Sequence, residues 1–175
     1  WIGLLAALRR SELLALTVGD LGEVAGMHRC TVEIRKSKTD QDMRGVTLVV
    51  PGSETRPAHI DPVRCIQAWL QELTDMHGGT LPADTPLFPG INHAGRPNAS
   101  AMTGQAWSAR LSELAEISGA ISDPGQLKMV SGHSLRRGFV TDAARRGQTA
   151  VQIQRVTRHT DLAALARYVG QLQQQ

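Results

Sequence analysis

"SLRRGFVTDAARRGQTAVQIQRVTRHTDLAALARYVG", residues 134–170, is the stretch that decides how this chain folds. It reads as three short helices, "SLRRGFVTDAARRG", "TAVQIQRVTR" and "DLAALARYV", broken by Gly147 and by "HTD". Glycine supplies a left-handed helix end, and Thr160 or Asp161 supplies the N-cap of a new helix. In the last helix Leu162, Leu165, Ala166 and Val169 form the expected apolar stripe. Tyr168, the chain's single tyrosine, falls about 100° from the centre of that stripe at 3.6 residues per turn, so its pattern does not assign it to the core.

Working outward toward the N-terminus, residues 2–16 read as one buried helix ending near "TVGD", where Gly19 can supply the cap. Arg9 and Glu12 share one face of it. "CTVEIRK" alternates Cys30, Val32 and Ile34 against Thr31, Glu33 and Arg35, and "GVTLVV" alternates Val46, Leu48 and Val50. These are two strands around a polar connection that carries Lys38. "HIDPVRCIQAWLQEL" starts with Asp61 as N-cap and Pro62 in the first turn, and carries Val63, Ile66, Leu70 and Leu73 at helical spacing. "GGTLPADTPLFPGINHAGRPNAS" reads as a long connection, after which "GQAWSARLSELAEI" resumes a helical pattern. The expected fold class is α+β, mainly helical with a small antiparallel β-sheet near the N-terminal third.

A chain of 175 residues, 41% of them hydrophobic, is enough for one folded unit with a core. The opening run "WIGLLAAL" reaches only to Arg9, well short of the roughly 20 residues that span a bilayer. With no Met, basic leader or cleavage site, it reads as neither a signal peptide nor a natural start. A cytoplasmic protein is expected, nucleoid-associated in a bacterium and without a membrane partner. Cys30 and Cys65 stand apart from each other and from any histidine ladder, which argues against a zinc site and against a disulfide framework. No metal and no cofactor are expected. His28, His59, His77 and His93 are scattered singly and read as structural or solvated.

Net charge is only +3, but residues 125–175 hold eight Lys/Arg against two Asp, while residues 46–124 hold four against eight acids. Sixteen of the nineteen cations are Arg, whose planar fork suits bidentate phosphate contacts. Within the basic third, His133 and Arg136 are three residues apart at a helix start and point two donors at one spot. An unbroken helix would place His159 and Tyr168 about 13 Å apart along its axis on opposite faces. The break at "HTD" instead lets the phenol fold back toward the histidine. A phosphodiester passing through a pentacovalent state gains charge on its non-bridging oxygens, which forked Arg and His donors stabilise.

Together "AALRRSELLAL", "KSKTDQ", "SGHSLRRGF" and "RHTDLAALARY" resemble, in order and spacing, the Arg, Lys, His-x-x-Arg, His and Tyr boxes of the tyrosine recombinase (phage integrase) family. The resemblance covers the whole chain as a catalytic domain. It implies that Arg9 and Arg136 clamp the phosphate, that Glu12 braces Arg9, and that His133 and His159 handle phosphate or protons. It further implies Lys38 as general acid for the leaving 5′ oxygen and Tyr168 as nucleophile. Arg10, Arg137, Arg158 and Arg167, which flank these positions, read either as DNA-backbone contacts or as plain solvated charge, and Lys36 reads as a DNA contact beside Lys38. The implied function is site-specific recombination of double-stranded DNA through a 3′-phosphotyrosyl intermediate, without metal or ATP. The implied assembly is a homotetramer on two DNA sites when the protein is full length, with an upstream helical DNA-binding domain that is absent from this chain. Two alternatives stay open: a type IB topoisomerase-like enzyme, and a non-catalytic DNA-binding module using residues 134–169 as a helix–turn–helix.

Overall fold

The computed structural model describes residues 1–22, 29–35 and 45–173. The chain is α+β and divides into two compact units, one comprising Trp1–Ile2 and Glu12–Met102, the other Gly3–Ser11 and Thr103–Gln175. Among the described residues no helix is long and apolar enough to cross a membrane.

In the first unit, strands β1 (Arg29–Ile34) and β2 (Val46–Pro51) pair antiparallel, with Cys30 opposite Val50, Val32 opposite Leu48 and Ile34 opposite Val46. The expected alternation is realised: Cys30, Val32 and Ile34 are buried, and Val50 is buried on the partner strand. Helix α3 (Pro62–Met76) adds Val63, Ile66 and Leu73 to the buried set, while Leu70 is half-buried. Asp61 caps α3 as expected, its Oδ1 accepting from the amides of Val63 at 3.1 Å and Arg64 at 3.0 Å. Its other oxygen accepts from the Ser53 amide at 2.7 Å. These amides hold the Asp61 carboxyl below the usual carboxylate range, with Arg56 adding a smaller push in the same direction.

Two expectations for this unit need correction. The stretch expected to be a featureless connection contains a hairpin, β3 (Pro89–Ile91) with β4 (Pro97–Ala101). Its turn is made by a side chain: Asn92 Oδ1 accepts from the amides of Ala94 at 2.9 Å and Arg96 at 3.0 Å, and Gly95 takes φ 74°. Gly19 is not a left-handed cap but sits in a 3₁₀ turn, Val18–Asp20. Its role is close approach, because its amide donates to Ala83 O at 2.7 Å and an added Cβ would stand 2.9 Å from that oxygen.

The single helix expected over residues 2–16 is in fact α1 (Ile2–Leu5) and α2 (Arg10–Leu14). Ala7, at φ 47°, turns the chain between them.

The second unit continues with α4 (Gly104–Ile117), a short α5 (Pro124–Leu127), and then α6 (Ser134–Arg145), α7 (Ala150–Thr157) and α8 (Leu162–Gln173). The three last helices are the three expected, and each break has a local cause. Gly147 takes φ 80° after α6, and Thr149 forms a capping box with Gln152 at the start of α7. Asp161 Oδ1 accepts from the Ala164 amide at 2.8 Å and caps α8. Val140, Ala143, Ala144, Ile153, Leu165 and Val169 form one buried cluster, with Phe139, Tyr168 and Leu172 partly buried against it. The apolar stripe of α8 is thus Leu165 and Val169 with Leu172, whereas Leu162 and Ala166 are exposed. Leu162 opens the helix beside its polar cap, and Ala166 lies on the flank that faces water.

Ile153 has no exposed surface at the centre of this cluster. Ile153→Ala is expected to destabilise the second unit by about 2–5 kcal/mol, read as an earlier urea or thermal unfolding transition. An unchanged transition would mean that the three helices do not depend on this cluster.

Candidate active site

Five of the six residues expected to carry chemistry, Arg9, His133, Arg136, His159 and Tyr168, lie within the second unit. His133 stands exposed at the N-cap of α6, following a turn in which the Ser134 amide donates to Ser131 O at 2.9 Å. One turn further on, Arg136 is only 6% exposed, and its Nη1 donates to Ala7 O at 2.9 Å. Arg9, half-buried two residues after Ala7, donates from Nη2 to Arg158 O at 3.2 Å.

Ala7 at φ 47° and Arg158 at φ 56° are the only non-glycine residues with positive φ among the described residues. Each presents its carbonyl to one of the two arginines assigned as phosphate clamps. A left-handed conformation costs an L-residue roughly 1–2 kcal/mol and persists only where the surroundings enforce it. Here the surroundings include a guanidinium bonded to each strained carbonyl, which fixes the arginines as much as it fixes the backbone.

His159 follows Arg158 directly. Its Nδ1 lies 2.7 Å from Thr157 Oγ1, and its carbonyl accepts from Gln154 Nε2 at 2.8 Å. Burial, and then the positive charges of Arg136 and Arg9, hold its pKa below the usual histidine value. Both effects favour the neutral ring over the charged one. Tyr168 is half-buried on α8, its hydroxyl 3.1 Å from Thr141 Oγ1. A cleft of ≈ 470 Å³ is lined by His133, Arg136, Arg137, His159, Thr160, Asp161 and Tyr168, with Val140, Ala164 and Leu165 as its apolar part; Arg9 is not among its lining residues. Histidine and phenol thus face one space, as the break at "HTD" predicts.

The other expected site residues that the structure describes, Arg10, Glu12, Arg158 and Arg167, do not line this cleft. Glu12 is buried, 4% exposed, and belongs to the first unit. Lys36 and Lys38 lie outside the described residues. Arg167 is exposed on α8 and does not line the cleft. Arg10 lies across two glycines of its own unit: its Nη1 reaches Gly104 O at 3.5 Å, and a Cβ on Gly132 would collide with its Cδ. Gly132 thereby lets the chain enter α6 beneath that side chain. Arg158 has its Nη1 3.4 Å from Val156 O.

Sequence reasoning did not find Thr141, Thr157, Gln154 or the Ala7 carbonyl. A threonine inside a helix carries no pattern that marks it as a partner of a distant phenol or of a nearby ring. The one available signal was position: Thr157 stands two residues before His159, where the helix was expected to end.

No family model matches the chain. It is similar to the curated integrase/recombinase XerD homologue of Selenomonas ruminantium, 28% identical over 171 residues, which is 98% of this chain and 46% of that protein. The chain spans about half the length of that relative. Among solved structures, the XerH site-specific recombinase bound to difH substrate superposes with a TM-score of 0.65 at 18% identity, over 97% of this chain and 40% of that one. XerA recombinase gives 0.62 at 18% identity, over 96% and 50% respectively. The Tn1549 transposon integrase, in complex with transposon right end DNA, gives 0.57 at 20% identity, over 95% and 51%. The chain thus has the fold of a tyrosine recombinase catalytic domain, and it is similar to that family in sequence along nearly its whole length.

Proposed function

We propose that this chain is the catalytic part of a site-specific DNA recombinase that cuts and rejoins strands by transesterification at Tyr168. The observation that carries this is the cleft itself: one phenol, two histidines and a buried arginine around a space of ≈ 470 Å³, in the most basic third of the sequence. A phenol with a pKa of about 10 is a weak nucleophile at neutral pH unless its proton is removed during attack and the developing charge is stabilised. Arg136 and Arg9, each held by a backbone carbonyl, supply fixed positive charge toward a non-bridging phosphate oxygen. His133, exposed at the start of α6, supplies a further donor.

In this scheme Tyr168 attacks the phosphorus, the 3′-phosphotyrosyl bond forms, and the 5′ oxygen leaves with a proton from Lys38. A second 5′ hydroxyl reverses the step with an exchanged partner. The phosphotyrosine conserves the bond energy, so the cycle consumes no ATP, and the charge that a metal would neutralise is met by arginine. Arg10, Arg137, Arg158 and Arg167 are proposed as backbone contacts that position the duplex, Lys36 joins them beside Lys38, and Glu12 supports Arg9. Full-length protein is proposed to act as a homotetramer on two double-stranded sites, each subunit adding an upstream DNA-binding domain.

The test is incubation with a nicked suicide duplex in EDTA. An SDS-resistant protein–DNA adduct with a free 5′ hydroxyl is expected, whereas a strict Mg²⁺ requirement for strand breakage would mark a nuclease instead.

A further inference from the structure

Tyr168 and Thr141 meet between α8 and α6, the phenolic oxygen 3.1 Å from Thr141 Oγ1. Both side chains are half-buried. A threonine inside a helix commonly bonds back to its own backbone. Thr74 in α3 and Thr157 in α7 do so, each donating to the carbonyl four residues earlier, Leu70 O at 2.8 Å and Ile153 O at 2.9 Å. Thr141 instead turns its hydroxyl to a side chain 27 residues away, and among the described residues Tyr168 Oη is its one hydrogen-bond partner.

Proton accounting gives this contact a direction. Each hydroxyl carries one proton and can also accept. Tyr168 lines the cleft, so its own proton has an open space to point into, whereas Thr141 is not among the lining residues. If Tyr168 donated, the Thr141 proton would be left half-buried without an acceptor. If Thr141 donates, both protons are placed, and no polar group is left unsatisfied. The ring itself is held by the buried cluster against which it packs, so packing sets the ring and Thr141 sets its oxygen.

We propose that Thr141 donates a hydrogen bond to Tyr168 Oη, aims that oxygen into the cleft, and stabilises the charge it carries while it attacks or leaves phosphorus. The catalytic half of this inference rests on the recombinase function proposed above; the direction of the bond does not. In cleavage the phenolic proton passes to water in the cleft, an Oη electron pair forms the phosphorus–Oη bond, the phosphorus–O5′ bond breaks, and O5′ takes a proton from Lys38. An oxygen that has lost its proton can only accept, so the bond from Thr141 persists and becomes charge-assisted, the stronger kind. Rejoining runs the same path backward with Oη as leaving group, so Thr141 serves both directions. One helix then holds both sides of the reaction: Arg136, assigned to the phosphate, and Thr141, five residues and about 7.5 Å further along the axis of α6, on the nucleophile.

Tyr168 is the only tyrosine in the chain, so the tyrosine Fermi doublet in a Raman spectrum reads this phenol alone. The intensity ratio of the doublet distinguishes a phenol oxygen that accepts a hydrogen bond from a phenol that donates one. The test is that spectrum on the 175-residue chain without DNA, joined to single-turnover cleavage of a suicide duplex at saturating protein and to rejoining of a 5′-hydroxyl strand. The wild-type doublet is expected to report an accepting oxygen, and Thr141→Ser to keep that signature and both rates. Thr141→Val, nearly isosteric, is expected to lose the signature and to slow cleavage and rejoining alike by roughly 10–100-fold, the scale of one hydrogen bond to a charged group, with gel-shift affinity within about threefold. A wild-type doublet that reports a donating phenol overturns the direction of the bond without requiring any variant to fold. A Thr141→Val protein that loses the signature yet cleaves at the wild-type rate overturns the catalytic half, and so does Thr141→Ser as slow as Thr141→Val, which would make the methyl the operative group. With the doublet as described, absence of adduct in all three proteins overturns the recombinase function and the catalytic half with it while supporting the bond from Thr141.

Discussion

Tyr168→Phe is expected to eliminate covalent attachment to DNA while leaving duplex binding within about threefold, because the ring is kept and only the nucleophilic oxygen is lost. The structure makes this a clean substitution. The ring lies half-buried against the α6–α8 cluster, where phenylalanine fills the same space. The hydroxyl's bond to Thr141 is between two partly exposed side chains, so its loss costs about 1 kcal/mol of stability, far too little to unfold the unit. Gel-shift titration and denaturing gels on the same suicide duplex separate the two readouts. Adduct that persists in Tyr168→Phe would remove this residue from the mechanism.

Arg136→Ala carries the second large effect, a loss of cleavage of about 10²–10³-fold or more, which is the scale for removing a preorganised donor to developing charge. Two causes act together. The variant takes a buried guanidinium away from the phosphate, and it removes the donor that holds the carbonyl of Ala7, two residues before Arg9. Arg9 is therefore displaced along with Arg136, and Arg136→Lys is expected to recover only part of the activity, since an ammonium lacks the fork. Sulfur in place of the bridging 5′ oxygen distinguishes this defect from that of a missing acid. A thiolate leaves without a proton, so Lys38→Ala should be rescued on that substrate. Arg136→Ala should stay defective on it, because charge on the non-bridging oxygens is unchanged. Rescue of Arg136→Ala by sulfur would contradict the role given to it here.

What was legible in the sequence was local. Helices α6, α7 and α8 could be read because each break is written beside it, as Gly147, as Thr149 with Gln152, and as Asp161. The placement of His159 and Tyr168 on one cleft followed from the last of these. The pairing of β1 with β2 followed from alternation. The break between α1 and α2 did not, because alanine has no propensity for φ 47° and what accompanies it there is a bond from Arg136, distant in sequence. The hairpin of β3 and β4 was hidden for the opposite reason: a Gly- and Pro-rich stretch obscures strands whose turn is made by one asparagine side chain.

In the proposed reaction Tyr168 becomes covalently bound to a DNA 3′-phosphate. Protease digestion of the adduct trapped on a suicide duplex in EDTA, followed by mass spectrometry of the nucleotide-bearing peptide, tests it most directly. One modified peptide is expected, containing Tyr168, carrying the nucleotide through its 3′-phosphate, with a 5′ hydroxyl on the released strand. Modification at any other residue, or linkage through a 5′-phosphate, would contradict it.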